Sequence, residues 1–125
     1  MGSGGPTILV VDDSPTARLQ LRLVLEEAGY QITEGTNGLE GVELARQGAF
    51  AAIIADLNMP VMTGLEMIVA VRQLAAHRKT PILVASTEAA PRMVAEGMAA
   101  GASAWLIKPL DAEVLLPALR QALRG

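Results

Sequence analysis

The stretch Ile8-Leu9-Val10-Val11-Asp12-Asp13 places two carboxylates directly after an uninterrupted apolar run. A third carboxylate, Asp56, follows the apolar run Ala51–Ala55 in the same way. Short runs that are apolar throughout are typical of strands buried on both faces of a parallel sheet. If the two strands lie side by side, the three carboxylates meet at one edge of that sheet. We expect their repulsion to raise at least one carboxyl pKa, and oxygen ligands of this kind suit Mg²⁺.

Two further apolar runs end in groups of different chemistry. Ser86 follows the run Pro81–Ala85, and Lys108 follows the run Ala104–Ile107. Ligands of open α/β sheets bind beyond the carboxyl ends of the strands. We therefore expect both side chains beside the acidic cluster. There the Lys108 ammonium would neutralise carboxylates or bind a phosphoryl oxygen, and the Ser86 hydroxyl would donate a hydrogen bond to the same group.

Strand and helix patterns alternate along the chain, which predicts a parallel α/β sheet. The predicted strands cover residues 7–11, 31–34, 51–55, 81–85 and 104–107. Helix-capping residues and the spacing of apolar residues predict five helices, which run from Ser14 to Gly29, Asn37 to Gly48, Gly64 to about Ala75, Pro91 to Ala100 and Asp111 to about Leu123. Pro117 falls inside the last helix, where its missing N–H predicts a kink.

Composition narrows the class of protein. The chain has 125 residues, the size of one domain, and 51 % of them are hydrophobic but only 2 % aromatic, so the core must be aliphatic. The net charge of −3 argues against direct binding of nucleic acid, which needs a basic face. No apolar stretch approaches the roughly 18 residues of a membrane span, and with no cysteine there is no disulfide framework. We expect a cytoplasmic protein without membrane insertion, with residues 1–5 as a flexible leader or expression-vector remnant and residues 6–125 as a single domain.

Several short motifs, in this order and at this spacing, resemble the receiver domain of two-component response regulators. They are Val10–Ser14, Asp56–Pro60 with Gly64, the strand end at Ser86, and Lys108-Pro109. Within that family the chain looks most like CheY-type chemotaxis regulators, because of the segments Thr87–Ala89, Glu96-Gly97 and Ala99–Trp105. The resemblance implies a flavodoxin-like (CheY-like), doubly wound sheet of five parallel strands in the order 2-1-3-4-5, with helices on both faces.

The resemblance also implies a role for each carboxylate. Asp56 would accept a phosphoryl group from a CheA-like histidine kinase. Asp13 and Asp56 would bind Mg²⁺, or Mn²⁺, directly, with the backbone carbonyl of Asn58 as a further ligand and Asp12 acting through water. The Lys108-Pro109 peptide bond would be cis.

Phosphorylation would then change the shape of a binding surface. The resemblance implies that Lys108 pairs with one phosphoryl oxygen, that Ser86 hydrogen-bonds another, and that Trp105 swings and reports the change at the surface. Ser86 stands where Thr is usual and Trp105 where Tyr or Phe is usual, so the hydroxyl is retained but the ring is larger. Asn58 and Glu88 would flank the hydrolytic water and tune dephosphorylation. The expected protein is a monomer that binds a downstream target, such as a flagellar motor switch protein, in chemotaxis or motility control.

Other functions stay open at this point. An aspartate-based phosphatase also uses a strand-end aspartate, Mg²⁺ and a lysine, but it generally has a second aspartate where this chain has Asn58. A flavin-binding module would have a hydroxyl- and glycine-rich loop in place of Asp12-Asp13. The chain could also be the receiver part of a larger regulator with an output domain. We predict a self-phosphorylating switch and not a turnover enzyme on a separate substrate, with the single histidine, His77, solvated among polar neighbours.

Overall fold

The computed structural model describes residues 5–124 as a five-stranded sheet with helices on both faces. In chain order the elements are β1 (Thr7–Val11), α1 (Pro15–Glu27), β2 (Gln31–Gly35), α2 (Gly38–Gln47), β3 (Ala52–Asp56), α3 (Gly64–Arg72), a 3-10 turn (Ala75–His77), β4 (Ile82–Ser86), α4 (Pro91–Ala100), β5 (Ala104–Ile107) and α5 (Ala112–Arg124). Most of the predicted leader, residues 1–4, lies outside the described residues. Gly5 donates a backbone hydrogen bond to the carbonyl of Gly29 (2.8 Å).

All five strands are parallel and lie in the order β2-β1-β3-β4-β5, which confirms the predicted doubly wound topology. The register pairs Val11 with Ala55, Asp56 with Ala85, and Ser86 with Ile107. The carboxyl ends of β1, β3, β4 and β5 therefore lie along one edge of the sheet. This alignment brings together the polar residues that follow each apolar run.

The sheet separates two aliphatic cores. One core contains Leu9, Ile53, Met67 and Val71 and lies between the sheet and helices α2, α3 and α4. The other contains Ile8, Ile54, Leu25, Leu115 and Leu119 and lies between the sheet and helices α1 and α5. Alternate residues of β1 and β3 enter different cores, which explains why both strands are apolar throughout.

Capping residues begin three helices where the sequence predicts them. The Ser14 hydroxyl accepts a hydrogen bond from the amide of Ala17, Asn37 caps α2, and Asp111 accepts one from the amide of Val114. Helix α3 is shorter than predicted, because the chain leaves it at Arg72 and forms the 3-10 turn instead. Helix α5 extends through Pro117. Among the described helices, none has both the length and the apolar character needed to span a bilayer.

The prediction that His77 is solvated was wrong. The side chain is fully buried and its ring stacks on Phe50, with 6.1 Å between the ring centroids. Its Nε2 atom lies 3.0 Å from the carbonyl oxygen of Ala45 and 2.9 Å from that of Gly48, at the carboxyl end of α2. His77 is the last residue of the 3-10 turn, and it is buried although Arg78 and Lys79, which follow it, are exposed.

Candidate functional site

Three carboxylates lie together at the carboxyl edge of the sheet. Asp12 and Asp13 directly follow β1, and Asp56 is the last residue of β3. One carboxylate oxygen from each residue lies within 4.8 Å of the others. Asp13 is exposed, whereas the Asp12 side chain is only 2 % exposed and that of Asp56 only 12 %. The neighbouring positions of β1 and β3 in the sheet create this cluster, as the sequence predicts.

Lys108 bridges the two buried acids from the end of β5. Its ammonium nitrogen lies 2.8 Å from Oδ2 of Asp12 and 3.1 Å from Oδ1 of Asp56. The peptide bond that follows, Lys108-Pro109, is cis, as predicted. The cation therefore compensates part of the negative charge of the cluster.

The electrostatics of the cluster follow from burial and charge. Burial raises the pKa of the Asp56 carboxyl and the charge of Asp12 raises it further, while the hydrogen bond from Lys108 opposes both effects. Desolvation alone would lower the pKa of Lys108, but its contacts with Asp12 and Asp56 outweigh desolvation, so the pKa is raised and the ammonium stays charged. One ammonium therefore does not balance the charge of three ionised carboxylates, and the grouped carboxylate oxygens are compatible with a divalent cation.

The loop after Asp56 is fixed by a close approach of the backbone. The amide of Gly64 donates to the carbonyl of Leu57 (2.8 Å), so that α3 begins against the end of β3. A Cβ atom at Gly64 would collide with the carbonyl oxygen of Asp56. Only glycine allows this contact, which explains why the motif around Asp56 includes it.

Ser86 and Glu88 form the turn after β4. The Ser86 side chain is buried, and its hydroxyl oxygen accepts a hydrogen bond from the backbone amide of Glu88 (3.0 Å). The carbonyl of Ser86 accepts one from the amide of Lys108 (2.8 Å). The Glu88 carboxylate in turn accepts a hydrogen bond from the side-chain amide of Asn58 (3.1 Å). The predicted pair Asn58 and Glu88 therefore lies together, across the loops that follow β3 and β4.

Trp105 contacts the same turn from β5. Its indole N–H donates to the backbone carbonyl of Glu88 at 2.8 Å. The ring lies against α4, where a Cβ atom at Gly97 would be only 2.7 Å from the ring carbon Cζ3. Glu88 therefore links Trp105 to Asn58, a contact that the sequence analysis did not anticipate. The sequence did contain one signal for this contact. Glycine inside a helix lowers helix stability by about 1 kcal/mol relative to alanine, so the glycine at position 97 indicates that another group approaches the helix closely there.

Arg18 is a further residue at the site that the sequence analysis missed. It lies on α1, and its guanidinium donates to the backbone carbonyl of Asp12 at 2.6 Å. The sequence offers only an indirect signal, because Arg18 and Arg22 share one face of α1 at i, i+4 spacing. The structure places Glu34 opposite that face.

Comparisons with known proteins agree with this geometry. The family model of the response regulator receiver domain matches residues 8–120. The protein PilH of Pseudomonas aeruginosa is 36 % identical over 121 residues, which cover 94 % of this chain and 98 % of PilH. The transcriptional regulatory protein SrrA of Staphylococcus aureus is 32 % identical over 117 residues, which cover 94 % of this chain but only 47 % of SrrA.

Solved structures show the same architecture. The chemotaxis protein CheY4 of Vibrio cholerae superposes with a TM-score of 0.90 at 41 % identity, over 94 % of this chain and 98 % of CheY4. The receiver domain of a Pseudomonas aeruginosa sensor histidine kinase superposes with a TM-score of 0.91 at 26 % identity, over 97 % and 99 % of the two chains. That second structure contains a magnesium ion coordinated in its active-site cleft.

Proposed function

This chain belongs to the response regulator receiver domain family of two-component signalling, and on that basis we propose that it is a binding switch controlled by phosphorylation of Asp56. Asp56 accepts a phosphoryl group from a phosphohistidine of a histidine kinase. The phosphorylated protein then populates a second conformation, and a target that binds this conformation preferentially shifts the equilibrium towards it.

The observation that carries the proposal is the cluster of three carboxylates, in which Lys108 bridges Asp12 and Asp56. Their oxygen atoms are the hard donors that Mg²⁺ prefers. Burial first, and then the charge of Asp12, raise the pKa of Asp56, so its ionised form is one that a nearby divalent cation would stabilise. We assign Asp13 and Asp56 as direct ligands, Asp12 as a ligand through water and the backbone carbonyl of Asn58 as a further one. Mg²⁺ or Mn²⁺ bound there would supply neutralisation of charge on the phosphoryl group.

The transfer itself needs positioning and charge compensation. A carboxylate oxygen of Asp56 attacks phosphorus, the bond from phosphorus to the histidine nitrogen breaks, and the imidazole leaves. Lys108, already 3.1 Å from Asp56, moves to a phosphoryl oxygen. The Ser86 oxygen accepts from the Glu88 amide, so its own proton remains available for another phosphoryl oxygen. Trp105, held by the carbonyl of Glu88, then responds to movement of this turn.

The relatives favour chemotaxis or motility as the biological context. CheY4 is a chemotaxis protein, and both CheY4 and PilH are covered over nearly their whole length. We therefore propose a CheA-like kinase as phosphodonor and a downstream protein target of the motor-switch type, in the cytoplasm, with residues 6–125 acting as one monomeric receiver domain. The similarity to SrrA, of which the chain spans about half, supports the alternative of a receiver within a larger regulator.

A small phosphodonor separates the possible functions. The protein is incubated with Mg²⁺ and acetyl phosphate, and both bound phosphate and consumed donor are measured. Stoichiometric, acid-labile phosphorylation supports the switch. Consumption of donor far beyond spontaneous decay would indicate an aspartate-based phosphatase, and a yellow protein would indicate flavin binding.

We predict that Mg²⁺ stabilises the folded protein, because it relieves repulsion among Asp12, Asp13 and Asp56. At a free concentration of 100 times Kd the gain is about 2.7 kcal/mol, provided that the unfolded chain does not bind the ion. Thermal melts with Mg²⁺ and with EDTA measure it, and Na⁺ at matched ionic strength is the control. An unchanged midpoint at saturating Mg²⁺ would contradict the metal site.

We also predict that phosphorylated Asp56 decays quickly, as chemotaxis requires. Asn58 and Glu88 are exposed and hydrogen-bond each other, and because both side chains are polar, neither places a bulky apolar group over the approach of water. The double variant Asn58→Met/Glu88→Leu should hold the phosphoryl group for longer. Decay after donor removal is the measurement, with Glu96→Leu, exposed on α4, as control. A wild-type half-life of hours, or an unchanged rate in the double variant, would show that these side chains do not control hydrolysis.

A further inference from the structure

The guanidinium of Arg18 connects the acidic cluster to the far side of β1. Its Nη1 atom donates to the backbone carbonyl of Asp12 (2.6 Å), and its Nε atom donates to the Glu34 carboxylate (2.9 Å) at the end of β2. The second oxygen of Glu34 accepts from Nε of Arg22 (2.7 Å). The Arg18 side chain is 14 % exposed, so it is ordered by packing as well as by these bonds.

The carbonyl that Arg18 holds belongs to the peptide group between Asp12 and Asp13. A peptide group is planar, so its oxygen, its nitrogen and both flanking Cα atoms move together. A hydrogen bond to that oxygen therefore restrains the orientation of the plane that carries both acidic residues. The contact is to the backbone, so Arg18 itself does not occupy a carboxylate oxygen.

The two acids differ in what else restrains them. The Asp12 carboxylate accepts hydrogen bonds from the amide of Ser14 (2.9 Å) and from Lys108 (2.8 Å), and both bonds restrain its orientation. Asp13 is exposed, and its direction depends on the backbone that presents it. A rotation of the peptide plane would therefore change the direction of the Asp13 side chain more than that of the Asp12 side chain.

We propose that Arg18, oriented by Glu34, is a positioning residue that sets the Asp12-Asp13 peptide for cation binding. The inference rests on the proposed Mg²⁺ site. Charge and position have opposite consequences here. Loss of a nearby positive charge strengthens cation binding to the carboxylates, whereas loss of the orienting hydrogen bond weakens it, and residues that orient metal ligands are typically worth 10- to 100-fold in affinity.

The sign of the change therefore identifies the role. We expect Arg18→Met to weaken Mg²⁺ binding by about 10-fold despite the removal of a positive charge. Arg22→Met is the matched control, because Arg22 shares Glu34 with Arg18, while its own contacts are with Glu34 and Glu26 and not with Asp12. Its Mg²⁺ affinity should equal that of the wild type, even where its melting temperature falls. Arg18→Lys keeps the charge but cannot reproduce the fork of the guanidinium, so it should bind Mg²⁺ more weakly than the wild type.

Isothermal titration calorimetry with MgCl₂ on each variant of the 125-residue chain, with circular dichroism to verify folding, measures these affinities. Unchanged or stronger binding in Arg18→Met overturns the proposal, as does an equal loss in Arg18→Met and Arg22→Met. If Arg18→Met does not fold, Arg18→Lys decides, since wild-type affinity in that variant would also overturn it. A wild-type protein that binds no Mg²⁺ would reject the metal site itself, and this inference with it.

Discussion

Asp56→Asn is expected to abolish phosphoryl incorporation and, in the absence of metal, to stabilise the fold. The amide is not a nucleophile towards phosphorus, but its oxygen still accepts the hydrogen bond from Lys108. The stability effect follows from the raised pKa of Asp56 in the folded protein. The folded state disfavours the ionised carboxylate, so the wild type loses stability as pH rises through that pKa. The variant has no such loss, so we expect it to be more stable than the wild type at neutral pH, within the range of about 0.5–2 kcal/mol that is common for substitutions that improve the charge distribution.

The pH dependence makes this result specific. Below the pKa of Asp56 in the unfolded chain, near the ordinary aspartate value of 3.8, Asp56 is neutral in both states and the advantage of the variant disappears. Urea denaturation in EDTA, at neutral pH and at acidic pH, measures it. Asp111→Asn is the matched control, because it makes the same charge change at the exposed cap of α5, where asparagine also caps well. If Asp56→Asn is less stable than the wild type at neutral pH without metal, the claim that the ionised Asp56 carboxylate destabilises the metal-free fold is wrong.

Arg72→Met is expected to be the most destabilising single substitution considered, at about 3 kcal/mol or more. The guanidinium donates to three backbone carbonyls, those of Gly101 (3.0 and 2.7 Å), His77 (2.8 Å) and Thr80 (2.6 Å). These bonds tie the end of α3 to the segments before β4 and β5. Burial lowers the pKa of Arg72, yet the group remains a cation that satisfies carbonyl oxygens. Methionine fills the space but leaves those oxygens without their donor.

Arg46→Met tests whether any arginine would matter as much. Arg46 also lies in the last turn of a helix, but its side chain is 58 % exposed and pairs with Glu43 at 3.7 Å, a surface contact of small value. We expect its loss to change the free energy of unfolding by less than about 0.5 kcal/mol. Similar unfolding midpoints for Arg72→Met and the wild type would show that water replaces the guanidinium at all three carbonyls.

The sheet and its acidic edge were predictable because a local pattern specifies them. Apolar runs such as Ile8–Val11 are typical of strands buried on both faces of a sheet, and parallel pairing brings the residues that follow them to one edge. Because these strands are neighbours in one sheet, the sequence predicts that Asp12, Asp13, Asp56 and Lys108 lie close together, although it specifies no distance between them. The strand order itself came from the family resemblance and was confirmed by the observed pairing.

What escaped prediction depends on contacts between side chains and distant backbone. Arg18, Arg72 and His77 all hydrogen-bond carbonyl oxygens. Every residue has a carbonyl, so the sequence does not mark which one is bound. For His77 the error had a second cause. Successive side chains in a 3-10 turn point in different directions, so the polar neighbours of His77 do not determine whether its own side chain is exposed. The contact of Trp105 with Gly97 likewise needed the three-dimensional packing of α4 on β5.

The central claim is that Asp56 itself takes the phosphoryl group with the help of a divalent cation. The most direct measurement is exposure of the protein to acetyl phosphate with Mg²⁺ or with EDTA, followed by borohydride reduction, which converts a phosphorylated aspartate to homoserine, and mass mapping of the peptides. We predict one converted residue, Asp56, in the Mg²⁺ sample and none in the EDTA sample. Conversion at another residue, equal conversion in EDTA, or no conversion with Mg²⁺ would contradict the claim.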